Sequence, residues 1–195
     1  IDVAGGGFTD SSGNSNGSAT QFNWTYDTTV PTMAITSSTV SDGATSNDST
    51  LAMTFTSSAA TTNFVVGDIS VSGGSLSSFA ATSSTVYTAT FTPSGGDGAK
   101  TIDVNANVFT NSASTNNIAA TQFNWTYDTT GPSMAITSST VSDGATSNNS
   151  TIAMIFTSNE ATTNFVVGDI TVVGGSLSSL SGSGTTYTAT FTPSG

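Results

Sequence analysis

The segment Gln21–Thr29 reads QFNWTYDTT, and the same nine residues recur at Gln122–Thr130. In both copies Phe, Trp and Tyr alternate with Asn, Thr and Asp, so one face of an extended chain is aromatic and the other polar. Alternation with a period of two residues and one apolar face predicts a half-buried β-strand. The nonapeptide therefore indicates both β-structure and an internal duplication.

The duplication extends well beyond this strand. The sequence MAITSSTVSDGATSN occurs at Met33–Asn47 and again at Met134–Asn148, 101 residues later. Between residues 21–79 and residues 122–180, 49 of 59 positions are identical. Because copies this similar indicate recent duplication, we expect further copies to flank the chain.

Other alternating segments predict about seven short strands in each period. Turn clusters such as Ser41-Asp42-Gly43 and Gly73-Gly74 separate them, and no stretch has a sustained helical period. The pattern predicts an all-β chain of tandem immunoglobulin-like β-sandwiches. The predicted strands of the complete period are Met33–Thr36, Leu51–Thr56, Phe64–Val71, Leu76–Phe79, Tyr87–Thr92, Thr101–Val104 and Phe123–Asp128. The predicted core comprises Leu51, Met53, Phe55, Phe64, Ile69, Tyr87, Phe91, Ile102, Val104, Phe123 and Trp125.

Several of these segments resemble a known family. DTTVP at Asp27–Pro31 and DTTGP at Asp128–Pro132 resemble the junctions of tandem bacterial Ig-like repeats. FTDSSGN at Phe8–Asn14 resembles the acidic loop before the last strand of that family, whereas FTNSAST at Phe109–Thr115 lacks its acid, Gly and Asn. The resemblance covers essentially the whole chain. It implies a module of a large surface protein of the stalk, adhesin or fibre type, located outside the cell or on its surface.

The resemblance also implies domain boundaries, because in this family a domain begins just after the DTT junction. Residues 1–27 would then be the final strands of one domain, and residues 28–128 would be a complete domain. Residues 129–195 would be a domain without its last two strands.

Composition excludes several classes of function. The chain has twelve acids, one Lys and neither Arg, His nor Cys, for a net charge of −11. Without His, the abundant Ser and Thr hydroxyls have no usual general base, so we expect no enzyme. A single cation, Lys100, cannot neutralise phosphates, so nucleic acid is excluded as a partner. No apolar stretch approaches the roughly 18 to 20 residues of a membrane span, so we expect no direct membrane insertion.

Calcium is the metal that this composition suits, because it needs only oxygen ligands. In an Ig-like sandwich the loops carrying Asp42 and Asp97 are expected at the same end as Asp128, with Glu160 of the next domain facing them. These four carboxylates are the candidate calcium ligands. Two observations oppose the site: Ala59 replaces Glu160 in the first copy, and no calcium-loop motif is present.

N-x-Ser/Thr triplets are candidate glycosylation sites, although a chain this rich in Asn, Ser and Thr contains such triplets by chance. Asn23 and Asn124 lie within the aromatic strands, on the polar face, and are therefore expected to point outward. A hydroxyl-rich surface also suits O-linked sugars, although exposed Thr is equally typical of strands without sugar. The complete set of candidates is Asn16, Asn23, Asn47, Asn124, Asn148 and Asn149.

Two functions remain open from the sequence. The first is a structural repeat module of an extracellular fibre, stalk or adhesin, assembled head to tail. The second is a carbohydrate- or surface-binding adhesive module, in which Trp24 or Trp125 would stack on sugar. The alternation with neighbouring aromatics predicts that both indoles belong to the core; an exposed indole would favour binding.

The expected partner is another copy of the same repeat. Residues 129–195 lack two strands, and residues 1–27 carry equivalents of those strands, while the short junction argues against closure within one chain. Two arrangements would satisfy this pattern. One is a longer continuous polypeptide, which we prefer, and the other is strand exchange between separate subunits.

Overall fold

The structure, a computed structural model, describes residues 1–195. The chain divides into two compact units, Ile1–Thr129 and Thr130–Gly195. All regular structure is β-strand except for two 3-10 turns, as the alternating sequence predicts. None of the helical turns has the length and apolar character that a membrane crossing requires.

The first unit contains an immunoglobulin-like sandwich of two four-stranded sheets, which confirms the predicted fold class. One sheet has the strand order β1-β3-β6-β5 and the other the order β2-β8-β7-β4. The strands are β1 (Met33–Ser37), β2 (Thr45–Ser46), β3 (Leu51–Ser57), β4 (Ile69–Ser72), β5 (Gly74–Ala81), β6 (Val86–Pro93), β7 (Gly98–Val104) and β8 (Phe123–Tyr127).

The core lies between the two sheets, where alternation along each strand places the apolar side chains. Leu51, Met53 and Phe55 of β3 are buried, whereas Ala52 and Thr56 between and beside them are exposed. All eleven side chains predicted for the core are buried, which confirms the register of the predicted strands. Because a slip of one residue would turn every side chain over, this agreement tests the register strictly.

Two local predictions were wrong. The predicted strand Phe64–Val71 begins only at Ile69, because residues 66–68 form a 3-10 turn. There Asp68 Oδ2 accepts the N–H of Val65 at 2.9 Å, which closes the turn and prevents extension of the strand. The two-residue strand β2, which pairs in parallel with β8, was not predicted at all.

The second unit contains one four-stranded sheet and no second layer. Its strand order, β11-β12-β10-β9, corresponds to β5-β6-β3-β1 of the first unit. Ile152 pairs with Phe191 as Leu51 pairs with Phe91. The strands are β9 (Met134–Ser138), β10 (Ile152–Thr162), β11 (Gly175–Leu177) and β12 (Ser181–Pro193).

Residues 1–27 form no named strand, and nearly all of them are exposed. The segment nevertheless folds back on itself, since Thr9 and Ser15 form an antiparallel bridge. The amino group of Ile1 donates to Phe22 O at 2.8 Å, and Phe22 N donates to Ile1 O at 2.9 Å. This exchange corresponds to the pairing of Ile102 with Phe123 between β7 and β8. We call residues 1–27 the N-terminal segment.

Candidate assembly surfaces

The uncovered face of the β9–β12 sheet forms an open cleft of about 810 Å³. In the first unit the equivalent residues are covered by the second sheet and belong to one buried cluster. In the second unit the buried hydrophobic side chains are only Phe156, Tyr187 and Ala189. The apolar lining of the cleft includes Ile136, Ile152, Met154, Phe156, Leu177 and Phe191.

The N-terminal segment exposes the aromatic side chains that close the sandwich elsewhere in the same chain. Trp24 is 67% exposed, whereas its counterpart Trp125 is 1% exposed. Phe8 is 62% exposed, whereas Phe109 is fully buried. Exposed aromatic groups of this size are typical of interaction surfaces rather than of free protein surface.

The loop before β8 is organised by one amide side chain, a role that the sequence analysis did not anticipate. Asn117 is buried; its Oδ1 accepts the N–H groups of Val108 and Phe109, and its Nδ2 donates to the carbonyls of Asn105 and Ile118. Asn16 occupies the equivalent position, 101 residues earlier. The sequence signal that could have predicted this role is the recurrence of the same Asn, at positions 16 and 117, in two loops that otherwise differ.

Asn16 makes the same kind of contacts in the exposed N-terminal segment. Its Oδ1 accepts Phe8 N–H at 3.0 Å, and its Nδ2 donates to the carbonyls of Ala4 and Gly17. Both amide hydrogens therefore hold the loop, and a sugar on Nδ2 would replace one of them.

A second position of the loop holds Asn111 in the complete domain and Asp10 in the N-terminal segment, and only the Asn side chain can donate a hydrogen bond. Asn111 Oδ1 accepts the N–H groups of Ala113 and Thr115, while its Nδ2 donates to Thr29 O at 2.8 Å. The equivalent residue is Asp10, which has no N–H to donate. Hydrogen bonds from Asn14 lower the pKa of the Asp10 carboxyl, and the bond from the Asn14 side chain has a larger effect than the bond from its backbone.

The carboxylates predicted to bind calcium do not converge in the first unit. Asp42 Oδ1 accepts Asn124 N–H at 2.8 Å at the start of β8, whereas Asp97 Oδ1 accepts Thr129 N–H at 2.8 Å beyond its end. These two amides are about 16 Å apart at the usual rise of a strand. The expectation that Asp42 and Asp97 share one end was wrong, because β2 runs parallel to β8 and brings the preceding Asp42 beside the beginning of β8.

Asp128 lies at the same end of β8 as Asp97, because Thr129, which donates its N–H to Asp97 Oδ1, is the next residue in the chain. Asp128 follows β8, and its N–H donates to Ser46 O at 3.1 Å. Glu160 is half-buried in β10 of the second unit. No group of three or more His, Cys, Asp or Glu side chains that could hold a metal ion is present.

The other glycosylation candidates are exposed. Asn124 lies between the buried side chains of Phe123 and Trp125, so its own side chain points outward from β8 as predicted. Asn23 is also exposed, within the N-terminal segment. Asn47, Asn148 and Asn149 are exposed in segments without regular structure.

Comparison with protein families identifies this architecture. The bacterial Ig-like domain family matches residues 27–127 and again residues 128–195. The chain belongs to this family. None of the curated proteins compared with the chain matches it.

Two solved structures are similar to this pair of Ig-like repeats. The Escherichia coli adhesin FdeC is 17% identical with a TM-score of 0.40, over 83% of this chain and 55% of that one. The N-terminal part of the bacterial S-layer protein SbsC is 12% identical with a TM-score of 0.34, over 67% of this chain and 41% of that one. The chain therefore spans about half the length of these structures or less.

In the complete Ig-like domain, Lys100 supports the turn before β7, which sequence reasoning did not anticipate. It is the only cation of the chain, yet the residue is 4% exposed. Its Nζ donates to the carbonyls of Ser94 and Gly96 at 2.9 and 2.7 Å and lies 5.8 Å from the centre of the Tyr127 ring. The charge is thus held by backbone dipoles and an aromatic face.

Proposed function

We propose that the chain is a structural repeat module of a long extracellular protein, a stalk, fibre or adhesin, in which Ig-like domains follow one another head to tail. The observation that carries this proposal is the repetition of one sheet, with one register, in both copies. Phe55 pairs with Tyr87 and Phe156 pairs with Tyr187 in equivalent strands. Repeated modules of nearly identical sequence lengthen a protein in one direction, which suits a structural role more than a role for one specialised binding site.

The end of the complete domain is tied to the chain that follows it. Thr129 donates both its N–H and its hydroxyl to Asp97 Oδ1, at 2.8 and 2.7 Å. The same junction sequence at Asp27 uses its own carboxylate, which accepts Thr29 N–H at 2.8 Å. A junction residue fixed by two hydrogen bonds suits a module that transmits tension along the chain.

Localisation tests this proposal most directly. Antibody against residues 28–128 should label intact cells of the source organism and should mark structures that project from the surface in immunoelectron micrographs. Preimmune serum and antibody to a cytoplasmic protein are the controls. Labelling that requires permeabilised cells would overturn the proposal.

Exposure of Trp24 favours a second candidate, an adhesive module that binds carbohydrate. The Trp24 and Tyr26 rings form an exposed edge-to-face pair, with centroids 5.9 Å apart. Such rings can stack on the apolar face of a sugar. Binding of the full chain to an array of glycans, abolished in Trp24→Ala but retained in Asn23→Ala, would support this candidate. An array without a signal would leave the structural role alone.

The proposal includes covalent sugar on the outward faces of the aromatic strands, at Asn124 and Asn23. Sugar would supply hydration that a surface with few charges lacks. Cleavage before Asp103 and Asp128 releases the peptide 103–127 of the protein purified from its source, and fragmentation of this peptide should place added hexose mass at Asn124. Unmodified peptides at Asn124 would contradict this part of the proposal.

A further inference from the structure

We propose that Asn111 locks the junction that precedes the complete domain, so that the chain enters this domain through a stiff joint and not through a flexible hinge. The junction is Asp27–Pro31, and we call the bond from the Asn111 side chain to Thr29 O the junction lock. The inference deepens the proposed function and rests on it, because it names the residue that sets the stiffness of the repeat chain at this point.

Thr29 is the junction residue at which the two sides meet, because both of its backbone groups are bonded. Its N–H donates to Asp27 Oδ1 at 2.8 Å, and its carbonyl accepts a hydrogen bond from Asn111 Nδ2 at 2.8 Å. The first bond ties Thr29 to the residue that ends the segment QFNWTYD. The second bond ties it to the loop before β8 of the complete domain. Thr29 therefore connects the two sides through hydrogen bonds as well as through the chain.

The rest of the junction has little freedom to bend. The Pro31 side chain is fully buried, and its carbonyl accepts the N–H of Ile118 at 3.2 Å. A proline fixes its own φ and restricts the residue before it to extended conformations, so Val30 is restrained as well. The junction can therefore act as a hinge only if the bonds of Thr29 open.

Asn111 is held in the orientation that the lock requires. The residue is 5% exposed, and its Oδ1 accepts the N–H groups of Ala113 and Thr115 at 3.0 and 2.9 Å. Because the amide oxygen is fixed by the loop, the amide nitrogen is directed at Thr29 O before the bond forms. A preorganised donor loses less conformational entropy when it forms its bond.

Asp10 separates the two roles of this loop position. Its Oδ1 accepts the N–H groups of Ser12 and Asn14, both at 2.9 Å, which are equivalent to the two loop bonds that Asn111 accepts. A carboxylate therefore organises the loop as an amide does. It has no hydrogen to donate to a carbonyl, so the lock requires Asn at this position.

The two bonds of Thr29 differ in their surroundings. Asp27 is exposed, and its bonds to Thr29, the one from the hydroxyl more than the one from the N–H, lower the pKa of its carboxyl. Water competes for an exposed acceptor of this kind, whereas a buried amide without its partner carries the full cost of desolvation. The buried bond from Asn111 is therefore the one that decides whether the joint is stiff.

NMR relaxation of the full chain tests the lock in Asn111→Asp, which keeps the loop bonds and removes the donor. The Val30 N–H belongs to the same peptide plane as Thr29 O, so its order parameter reports the lock directly. We expect about 0.85 in the unchanged chain and below about 0.6 in Asn111→Asp. Ser112→Ala is the matched control, because Ser112 is the exposed neighbour of Asn111 in the same loop.

The same spectra separate a lock from a general loss of stability. Phe55 and Tyr87 lie in β3 and β6, and their amides should keep their order in Asn111→Asp, whereas partial unfolding of the domain would lower it. If Asn111→Asp does not fold, Asp27→Ala tests the junction from its exposed side. It should lower the order parameter of the Thr29 N–H below about 0.6 and leave that of Val30 near about 0.85.

Spin labels measure the motion of the joint itself, and the absence of native Cys allows two labels to be placed cleanly. Asn23→Cys and Asn124→Cys put one label on an exposed position on each side of the junction. The distribution of distances between the labels should become about twofold broader in Asn111→Asp, as expected when a short linker is released. It should not change in Ser112→Ala.

Three results would overturn the proposal. They are a Val30 amide that is already mobile in the unchanged chain, a Val30 order parameter that does not change in Asn111→Asp, and equal losses in Asn111→Asp and Ser112→Ala. Any of these results together with positive surface labelling would reject the lock and leave the proposed function standing. A confirmed lock with labelling only in permeabilised cells would reject the proposed function instead.

Discussion

Phe91 and Phe191 occupy equivalent positions in β6 and β12, opposite equivalent partners, yet Phe91 is fully buried and Phe191 is partly exposed. The difference does not come from the sheets, which share order and register. It comes from the last part of the period, β7 to β8, which supplies the second layer in the first unit. Burial of the core therefore depends on the final third of the period.

The largest expected effect separates the two indoles. Trp125→Ala should lower the free energy of unfolding of the first unit by about 3–5 kcal/mol, because it removes a large, fully buried side chain. Its Nε1 has no hydrogen-bond partner, so the loss is one of packing. Trp24→Ala should leave the transition unchanged in dilute protein. Urea unfolding followed by circular dichroism measures both, and equal destabilisation would contradict the comparison.

The loop asparagines provide the next comparison. Asn117→Ala should cost about 1–3 kcal/mol, because it removes a buried amide and leaves two N–H groups and two carbonyls of the loop without their partner. Asn16→Ala, in the exposed copy of the loop, should change the unfolding free energy of the first unit by less than about 0.5 kcal/mol. Thermal unfolding of the two variants, measured in parallel, compares their losses of unfolding free energy. A stable Asn117→Ala would show that the loop needs no central amide.

A glycine at the edge of the first sheet should show an intermediate effect. A Cβ at Gly74 would collide with the Phe91 ring and the carbonyl of Thr92, so Gly74→Ala should destabilise by about 1–3 kcal/mol. Gly67→Ala is the matched control, since no atom lies within 4 Å of a Cβ there. Comparable midpoints for the two variants in urea would mean that β5 moves to accommodate the methyl group.

The smallest effect concerns Tyr87, whose hydroxyl donates to Thr61 O at 2.9 Å. Burial raises the pKa of this phenol above its ordinary value of 10.0. The folded state therefore retains the proton longer than the unfolded state, so stability that is present below pH 10 declines as pH rises through the folded pKa. The decline above pH 10 should be shallower in Tyr87→Phe, as measured by unfolding free energies at successive pH values. Identical slopes would contradict it.

The sequence predicted what depends on alternation. The eleven core residues were identified because strands of this sandwich bury every second side chain, and Leu51 to Phe55 illustrate the pattern. Features set by tertiary position were missed. The place of Asp42 depends on the parallel pairing of the two-residue strand β2, and the role of Asn117 depends on four backbone groups brought together by a loop. Neither leaves a periodic signal in the sequence.

The placement of Lys100 has a consequence for resistance to proteolysis. Trypsin cleaves after Lys or Arg, and Lys100 is the only such residue in the chain. It lies within β7, buried, with its Nζ bonded to two carbonyls. Because proteases need an accessible, locally unfolded segment, the folded first unit offers trypsin no site to cut. Cleavage between Lys100 and Thr101 therefore occurs only when the sandwich opens, and the rate at which two fragments appear reports that opening directly.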